Sequence, residues 1–205
     1  MNVLLINGSP KPKGCTYTAL CEIEKALHEC HIDTTHFHIG RKAIHGCIDC
    51  GKCGSTGRCA FRDAANPCAD LMRQADGVII GSPVYYASAN GALCAMLDRV
   101  FYSAGADFRH KPAAAIVSCR RGGAGSAFDR LNKYFTISEM PIVSSRYWNA
   151  VHGQTPEEVL QDGEGLQIMR TLGKNMAWML ENLKHGKSVI KPPEREARIA
   201  TNFIR

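Results

Sequence analysis

Apolar runs that end in turn residues recur along the chain and predict the strands of a parallel sheet. Three of these runs are continuous, and each is followed by a serine or asparagine in a glycine- or proline-containing turn. Continuous apolar runs suit strands that are buried on both faces. Residues 32–39 instead alternate in polarity, which favours a more peripheral strand. The predicted strands cover residues 3–6, 32–39, 77–81, 113–117 and 141–143.

Between the strands, apolar residues recur at helical spacing, which predicts a helix after each strand. Strands that alternate with helices indicate βαβ units and a doubly wound, three-layer sandwich. In the last helix, methionines and leucines form one stripe, which is typical of a core or a subunit interface. We predict one domain over residues 1–185 and a C-terminal extension over 186–205. The predicted helices cover residues 16–30, 67–75, 90–101, 125–135 and 163–183.

In an open parallel sheet, ligands bind beyond the carboxyl ends of the strands. The first such loop, Gly8–Thr16, leads from a buried strand into a helix and contains hydroxyls and two lysines, so it favours an anion. It matches neither the dinucleotide-binding nor the P-loop glycine pattern. A plain strand–helix turn, capped by a threonine, is the alternative. The second loop, Ser82–Asn90, contains two tyrosines and offers a platform for a planar heteroaromatic ring, unless the tyrosines only anchor the loop.

Three segments together resemble the NADPH-dependent FMN reductases among the flavodoxin-like proteins. They are Ile6–Thr16, Gly81–Tyr86 and Leu97–Arg99, and the resemblance extends to about residue 183. It implies an α/β, flavodoxin-like three-layer sandwich with a five-stranded parallel sheet in the order 2-1-3-4-5. It also implies an FMN-binding oxidoreductase that takes a hydride from NADH or NADPH and passes electrons to a flavin, quinone, iron or redox-protein acceptor.

The same resemblance implies which residues contact FMN. The phosphate would be held at Ser9, Lys11, Gly14, Cys15 and Thr16, although Cys15 stands where such proteins often have asparagine, so its donor would be the backbone. The ring would lie along Pro83, Val84, Tyr85, Tyr86 and Ala87. The loop with Ser118, Arg120, Gly122 and Gly123 would close over the pyrimidine side, with Arg120 as a candidate positive group near the reduced ring. Hydride transfer to the flavin needs no general base from the protein, and we assign no catalytic residue.

Residues 45–66, which we call the cysteine loop, contain four cysteines within 13 residues. Cys47, Cys50, Cys53 and Cys59 have the spacing C-x2-C-x2-C-x5-C. This compact run favours a 4Fe–4S cluster. A zinc site is the second interpretation, although zinc sites more often pair two separated C-x2-C units. A loop of thiols without a metal is the third interpretation. Iron–sulfur flavoproteins, which resemble this chain, carry such a motif at the same place. Two alternatives to the reductase therefore follow: an electron carrier that does not use NAD(P)H directly, and a binding module that senses redox state through these thiols.

Composition and charge limit the kinds of partner that we expect the protein to bind. The chain has 205 residues, ten cysteines and a net charge of +6. The segment from Lys184 to Arg205 has a net charge of +4, which leaves a net charge of only +2 on the rest of the chain. This is too little positive charge for a surface that binds nucleic acid. No apolar stretch is long enough to span a membrane, and we expect a cytosolic protein with reduced thiols. The apolar residues of the extension, among them Ile199 and Phe203, predict docking on a neighbouring subunit of a homodimer or homotetramer, unless the terminus is simply frayed.

Overall fold

Five parallel strands form the central sheet of the protein, seen in a computed structural model that describes residues 1–197, 199 and 201. The strands are β1 (Asn2–Asn7), β2 (Asp33–His38), β3 (Gly77–Tyr85), β4 (Ser88–Ala89), β5 (Ala113–Cys119) and β6 (Ala150–His152). The five parallel strands follow the order β2-β1-β3-β5-β6, and β4 is added antiparallel to β3. The predicted order and the three-layer architecture are therefore confirmed.

Helices cover both faces of the sheet. Leu4, Ile6 and Ile80 pack towards the helices at residues 65–74, 91–104 and 124–137, whereas Leu5 and Ile79 pack towards those at residues 15–29 and 163–187. This alternation explains why the runs are apolar at every position. The helices are α1 (Cys15–Glu29), α2 (Cys53–Thr56), α3 (Ala65–Gln74), α4 (Gly91–Ala104), α5 (Ala124–Ile137), α6 (Pro156–Val159) and α7 (Gly163–Lys187), with a 3-10 turn at Gly105–Phe108.

The fifth strand lies later in the chain than predicted. Of the predicted strand 141–143, only Ile142 pairs with β5, as an isolated bridge to Ala113. Sheet pairing resumes at β6, after an irregular segment. In between, the Asn149 side chain donates to the Ala115 carbonyl at 3.0 Å, so a side chain replaces the backbone donor that a continuous strand would supply.

Two further boundaries differ from the prediction. β3 continues past Gly81 to Tyr85, because residues 81–83 still pair with β5 and the next two residues pair with β4. The cysteine loop is not wholly irregular, since α2 forms within it. α3 begins at Ala65 rather than at Pro67, because the Asp63 carboxylate accepts a hydrogen bond from the Ala65 amide.

The methionine stripe of α7 lies in the core. Met169, Leu172 and Met176 are fully buried against α1 and the sheet. Across the residues that the structure describes, no helix is both long and apolar enough to cross a bilayer. Phe203 and Ile204, on which part of the docking prediction rests, lie outside the described residues.

Candidate functional site

Three loops meet at the carboxyl ends of β1, β3 and β5, and we call residues 8–16, 82–90 and 118–123 the strand-end edge. The Gly8 amide donates to the Gly81 carbonyl at 2.8 Å, and the Thr16 and Ser118 hydroxyls lie 2.8 Å apart. A methyl group added at Gly123 would lie 2.7 Å from the Cα of Ala87, so the second and third loops are also in contact. The loops predicted to share a ligand are therefore brought together.

The first loop is ordered by its own polar groups. The Asn7 side chain accepts from the Ser9 amide at 3.0 Å and donates to the Pro12 carbonyl at 3.1 Å. The Ser9 hydroxyl accepts from the Lys11 amide at 3.1 Å. These bonds shape the loop before any ligand arrives, while the Lys11 side chain is exposed and free to reach an anion.

This loop ends at the N-terminus of α1, which has no side-chain cap. Gly14 is the N-cap residue, and its missing side chain leaves the first amides of the helix without the usual hydroxyl or carboxylate acceptor. An uncapped helix N-terminus is a good site for an anion. Burial raises the pKa of the Cys15 thiol, and its sulfur lies 3.8 Å from the Gly153 carbonyl rather than facing the loop. The backbone of Cys15 is thus the donor available to a phosphate.

The buried Asn90 side chain ties the strand-end edge together and was not predicted. Its amide nitrogen donates to the Gly8 carbonyl at 2.9 Å, and its oxygen accepts from the Ala92 amide, which caps α4. Its backbone amide donates to the buried Ser82 hydroxyl at 2.9 Å. One residue therefore connects the first loop, the second loop and a helix, and an N-cap asparagine before an apolar helix was the only signal in the sequence.

The second loop is a tight β-hairpin rather than an open loop. Tyr85 pairs with Ser88, and both intervening residues, Tyr86 and Ala87, have positive φ values of 49° and 57°. Such two-residue turns usually contain asparagine and glycine, because a β-carbon is strained there. Tyr86 is fully exposed at the tip. Strain and an exposed aromatic ring at a strand end are typical of a functional site.

In the third loop, the residues that follow β5 directly are buried, and the residues after them are exposed. Ser118 and Cys119 are buried, and burial raises the pKa of the Cys119 thiol, which suits packing better than redox chemistry. Arg120 and Gly122 are exposed. Gly123, at φ 86°, is the N-cap of α5 and allows the close approach to the hairpin.

The cysteine loop follows β2 and precedes α3, as expected from the resemblance. All four cysteines line one small cavity, together with Ile48, Phe61, Arg99 and Tyr102. Cys47 and Cys50 are exposed, whereas Cys53 and Cys59 are half-buried. Within the described part of the chain, no three Cys, His, Asp or Glu side chains are arranged as ligands of a metal ion. The structure thus brings the four thiols to one cavity without bringing them to ligand distances.

A buried arginine also lines this cavity and was not predicted as a site residue. The Arg99 guanidinium donates to the Asp63 carboxylate at 2.6 Å and to the Cys59 sulfur at 3.5 Å. Its carbon lies 5.1 Å from the centre of the Phe61 ring. The Arg99 side chain is 1% exposed, and its Nε has no hydrogen-bond partner among the described residues. Arg99 therefore brings a buried positive charge to the wall of the cavity that the four thiols line.

The Asn66 side chain fixes one end of the cysteine loop. It accepts from the Cys59 amide and donates to the carbonyls of Cys59 and Phe61, each at 3.0 Å. The other end is open, since residues 46–52 are exposed and both Asp49 and Gly51 have positive φ. Cys59 and Arg99 are therefore held in place, whereas the first cysteines lie on a segment with few contacts.

Comparisons with known proteins show similarity in sequence and in fold. The family profile of the NADPH-dependent FMN reductases matches residues 1–155. An iron–sulfur flavoprotein of Methanocaldococcus jannaschii is 31% identical over 192 residues, covering 90% of this chain and all of that protein. An NADPH azoreductase of a Bacillus species is 26% identical, covering 82% of this chain and 80% of its own. An archaeal flavodoxin structure superposes with a TM-score of 0.61 at 14% identity, covering 88% and 99% of the two chains.

Proposed function

Because this chain belongs to the NADPH-dependent FMN reductase family, we propose that it is an FMN-dependent oxidoreductase that takes electrons from NADH or NADPH. The observation that carries the proposal is the meeting of three strand-end loops around an uncapped helix N-terminus. A phosphate needs the backbone amides of that terminus, and a flat ring needs the neighbouring loops. Both lie at the edge of the sheet where doubly wound proteins bind ligands.

In this proposal the first loop holds the phosphate. Gly14, Cys15 and Thr16 contribute backbone donors, and the Ser9 hydroxyl, which accepts from the Lys11 amide, keeps its own O–H to donate to the anion. The Lys11 ammonium supplies the positive charge from the exposed side. Preformed amides need little reorganisation when the anion binds, so the loop adds affinity without a large ordering cost.

The hairpin and the third loop hold the ring. The hairpin backbone at Pro83–Ala87 would line the ring, and the segment Ser118–Gly123 would close over its pyrimidine side, with Arg120 and Gly122 exposed for contact. Bound FMN would supply the chemistry, accepting a hydride as two electrons and releasing them singly. The protein orients the ring, excludes water and places donors where negative charge develops, with Arg120 the candidate charged group.

We also propose that Cys47, Cys50, Cys53 and Cys59 hold a 4Fe–4S cluster that passes single electrons onward. Four thiols around one cavity match the donor set of such a cluster, and the buried Arg99 side chain, which donates to the Cys59 sulfur, lines the same cavity. Binding requires the open end of the loop to bring Cys47 and Cys50 towards Cys59, and exposed glycines there permit this movement. Zinc or an empty thiol loop are the outcomes that would contradict the cluster.

A second candidate is an electron carrier that uses flavin and cluster without direct NAD(P)H oxidation. It is favoured by the likeness to a protein named iron–sulfur flavoprotein, because that name specifies no nicotinamide. Both candidates are compatible with a homodimer or homotetramer. Exposed apolar side chains support assembly, among them Ile137, Trp178, Val189 and Ile190.

The first experiment is anaerobic purification of the full chain, with flavin, iron and acid-labile sulfide quantified on one sample. We expect one FMN and about four irons per chain, and a mass of two or four chains by sedimentation. Anaerobic addition of NADPH or NADH should then bleach the flavin absorbance. A flavin that stays oxidised would favour the carrier, and flavin without iron would leave a reductase with a thiol loop. A chain that takes up no FMN would overturn the proposal.

A further inference from the structure

We propose that Arg99 is a positioning residue for the iron–sulfur centre, which fixes Cys59 and raises the reduction potential of the cluster, and that Asp63 opposes this charge. The proposal rests on the cluster proposed above. It concerns residues outside the four-cysteine motif, and it assigns a function to a buried charge that the flavin site does not use.

The geometry gives Arg99 a fixed place at the cavity. One terminal nitrogen contacts Asp63, the other contacts Cys59, and the guanidinium plane faces the Phe61 ring. Three neighbours therefore hold the group from different sides. The Nε alone remains without a partner among the described residues.

A buried N–H donor without an acceptor destabilises the folded protein unless a bound ligand supplies the acceptor. Buried N–H groups almost always have an acceptor, and a buried arginine almost always has all its charge compensated. Asp63 is partly exposed, with 25% of its side chain accessible, so its compensation is incomplete. A cluster held by thiolates is anionic and would carry this negative charge at the Cys59 sulfur, which the Arg99 guanidinium already contacts at 3.5 Å.

The direction of the effect follows from charge. One electron received from a bound, reduced flavin would make the cluster more negative by one unit, and the Arg99 guanidinium would stabilise that reduced form. Hydrogen bonds to the sulfurs act in the same direction. Asp63 acts in the opposite direction, because its carboxylate destabilises the added electron.

The position of Arg99 also connects the two sites. It lies eight residues after Gly91, the first residue of α4, which is about 12 Å along the helix axis. The start of α4 is anchored by Asn90 to the strand-end edge. A rigid helix therefore places this charge at a fixed distance from the proposed flavin.

The test compares Arg99→Gln and Asp63→Asn in the full chain, purified anaerobically. The cluster potential is measured by a redox titration that follows the electron paramagnetic resonance signal, with the flavin couple in the same sample as reference. We expect Arg99→Gln to disfavour cluster reduction about tenfold, a decrease of about 59 mV for one electron. Asp63→Asn should shift the potential upward, and it keeps the side-chain oxygen that accepts from the Ala65 amide. Arg99→Lys keeps the charge and should shift the potential less than glutamine.

Opposite shifts in the two variants would support the proposal, because a purely structural role predicts no such opposition. Unchanged potentials, or shifts in the same direction, would overturn it. Where Arg99→Gln fails to take up iron, Asp63→Asn decides: an upward shift supports the proposal, and any other result overturns it. A wild-type chain with flavin but neither iron nor sulfide would instead refute the cluster itself, and this inference with it.

Discussion

The two candidate sites of this protein differ in how far the chain has organised them. At the strand-end edge, main-chain and buried side-chain bonds connect all three loops, including Gly8 to Gly81 and Thr16 to Ser118. In the cysteine loop, side-chain hydrogen bonds from Asn66 and Arg99 anchor the end at Cys59. The cysteines at the other end are exposed.

This difference indicates two ways of making a cofactor site. A preformed edge loses little entropy when its ligand binds, so its stability and its affinity depend on the same protein contacts. A loop whose ligands are apart is ordered by the group that it binds, so binding and local folding are coupled. We therefore expect loss of a contact that joins the edge loops to alter both folding and flavin affinity, and loss of a cysteine from the loop to alter metal content without altering folding.

The largest expected effect is the loss of iron from Cys53→Ser. Removing one of four thiolates should reduce iron and sulfide from about four per chain to nearly none, because a serine oxygen is a poor ligand for a cluster. Flavin content should stay at one per chain, since no loop of the strand-end edge is touched. Both are measured on anaerobically purified protein.

The matched control is Cys21→Ser, a half-buried cysteine on α1 whose thiol pKa is raised by burial. It should retain wild-type iron. Iron that persists in Cys53→Ser at the wild-type level would contradict the assignment of this ligand, and loss of flavin together with iron would show that the two sites are not organised independently.

A smaller effect is expected from Asn90→Ala at the strand-end edge. The change removes the cap of α4 and leaves the Gly8 carbonyl without its donor. Loss of a cap costs about 1 kcal/mol, and an unsatisfied buried polar group costs about 1–3 kcal/mol, so we expect the free energy of unfolding to fall by about 2–4 kcal/mol. Flavin affinity should fall as well, because the first two loops lose their common anchor. Denaturant titration and fluorescence titration with FMN measure the two effects.

Asn182→Ala is the control for that variant. Asn182 is exposed on α7 and bonds only within its own helix, to the Trp178 carbonyl. Its stability should change by less than about 0.5 kcal/mol, with unchanged flavin affinity. If the strand-end edge is preformed, loss of the Asn90 side chain must change both stability and FMN affinity. Normal FMN binding by Asn90→Ala would therefore contradict the difference between the two sites.

The same contrast explains what could be predicted from the sequence. Apolar runs and helical spacing determine the sheet and its helices, and the turn residues at the strand ends mark the loops that meet. The four-cysteine spacing marks the second site because its chemistry is local in the chain. The contacts that complete both sites are not local: Asn90 reaches back 82 residues to Gly8, and Arg99 reaches back 40 residues to Cys59.

The remaining errors have similar causes. The hairpin at Tyr86 and Ala87 lacks the asparagine and glycine that signal such turns, so its sequence predicts a loop. The last strand is displaced because the Asn149 side chain occupies a sheet position that a backbone amide would normally fill. In both cases, tertiary contacts stabilise a local conformation that the residues themselves disfavour.

The smallest expected effect tests whether the strained hairpin serves the flavin site. Ala87→Gly removes a β-carbon at φ 57° while keeping the backbone, so it should stabilise the fold by about 0.5–1 kcal/mol. FMN affinity should stay within about twofold, because Gly123 still contacts the Ala87 backbone rather than only its methyl group. Thermal unfolding and FMN titration provide the two values.

Ala106→Gly is the control for Ala87→Gly, because Ala106 lies in the 3-10 turn and is not among the residues with positive φ. There the same substitution should destabilise the fold by up to about 1 kcal/mol, because glycine only adds freedom to the unfolded chain. Opposite signs at the two alanines would show that the hairpin stores strain at the strand-end edge. If Ala87→Gly gains stability but loses FMN affinity by more than tenfold, the strained geometry itself contributes to binding, and the edge is preformed at a measurable cost in stability.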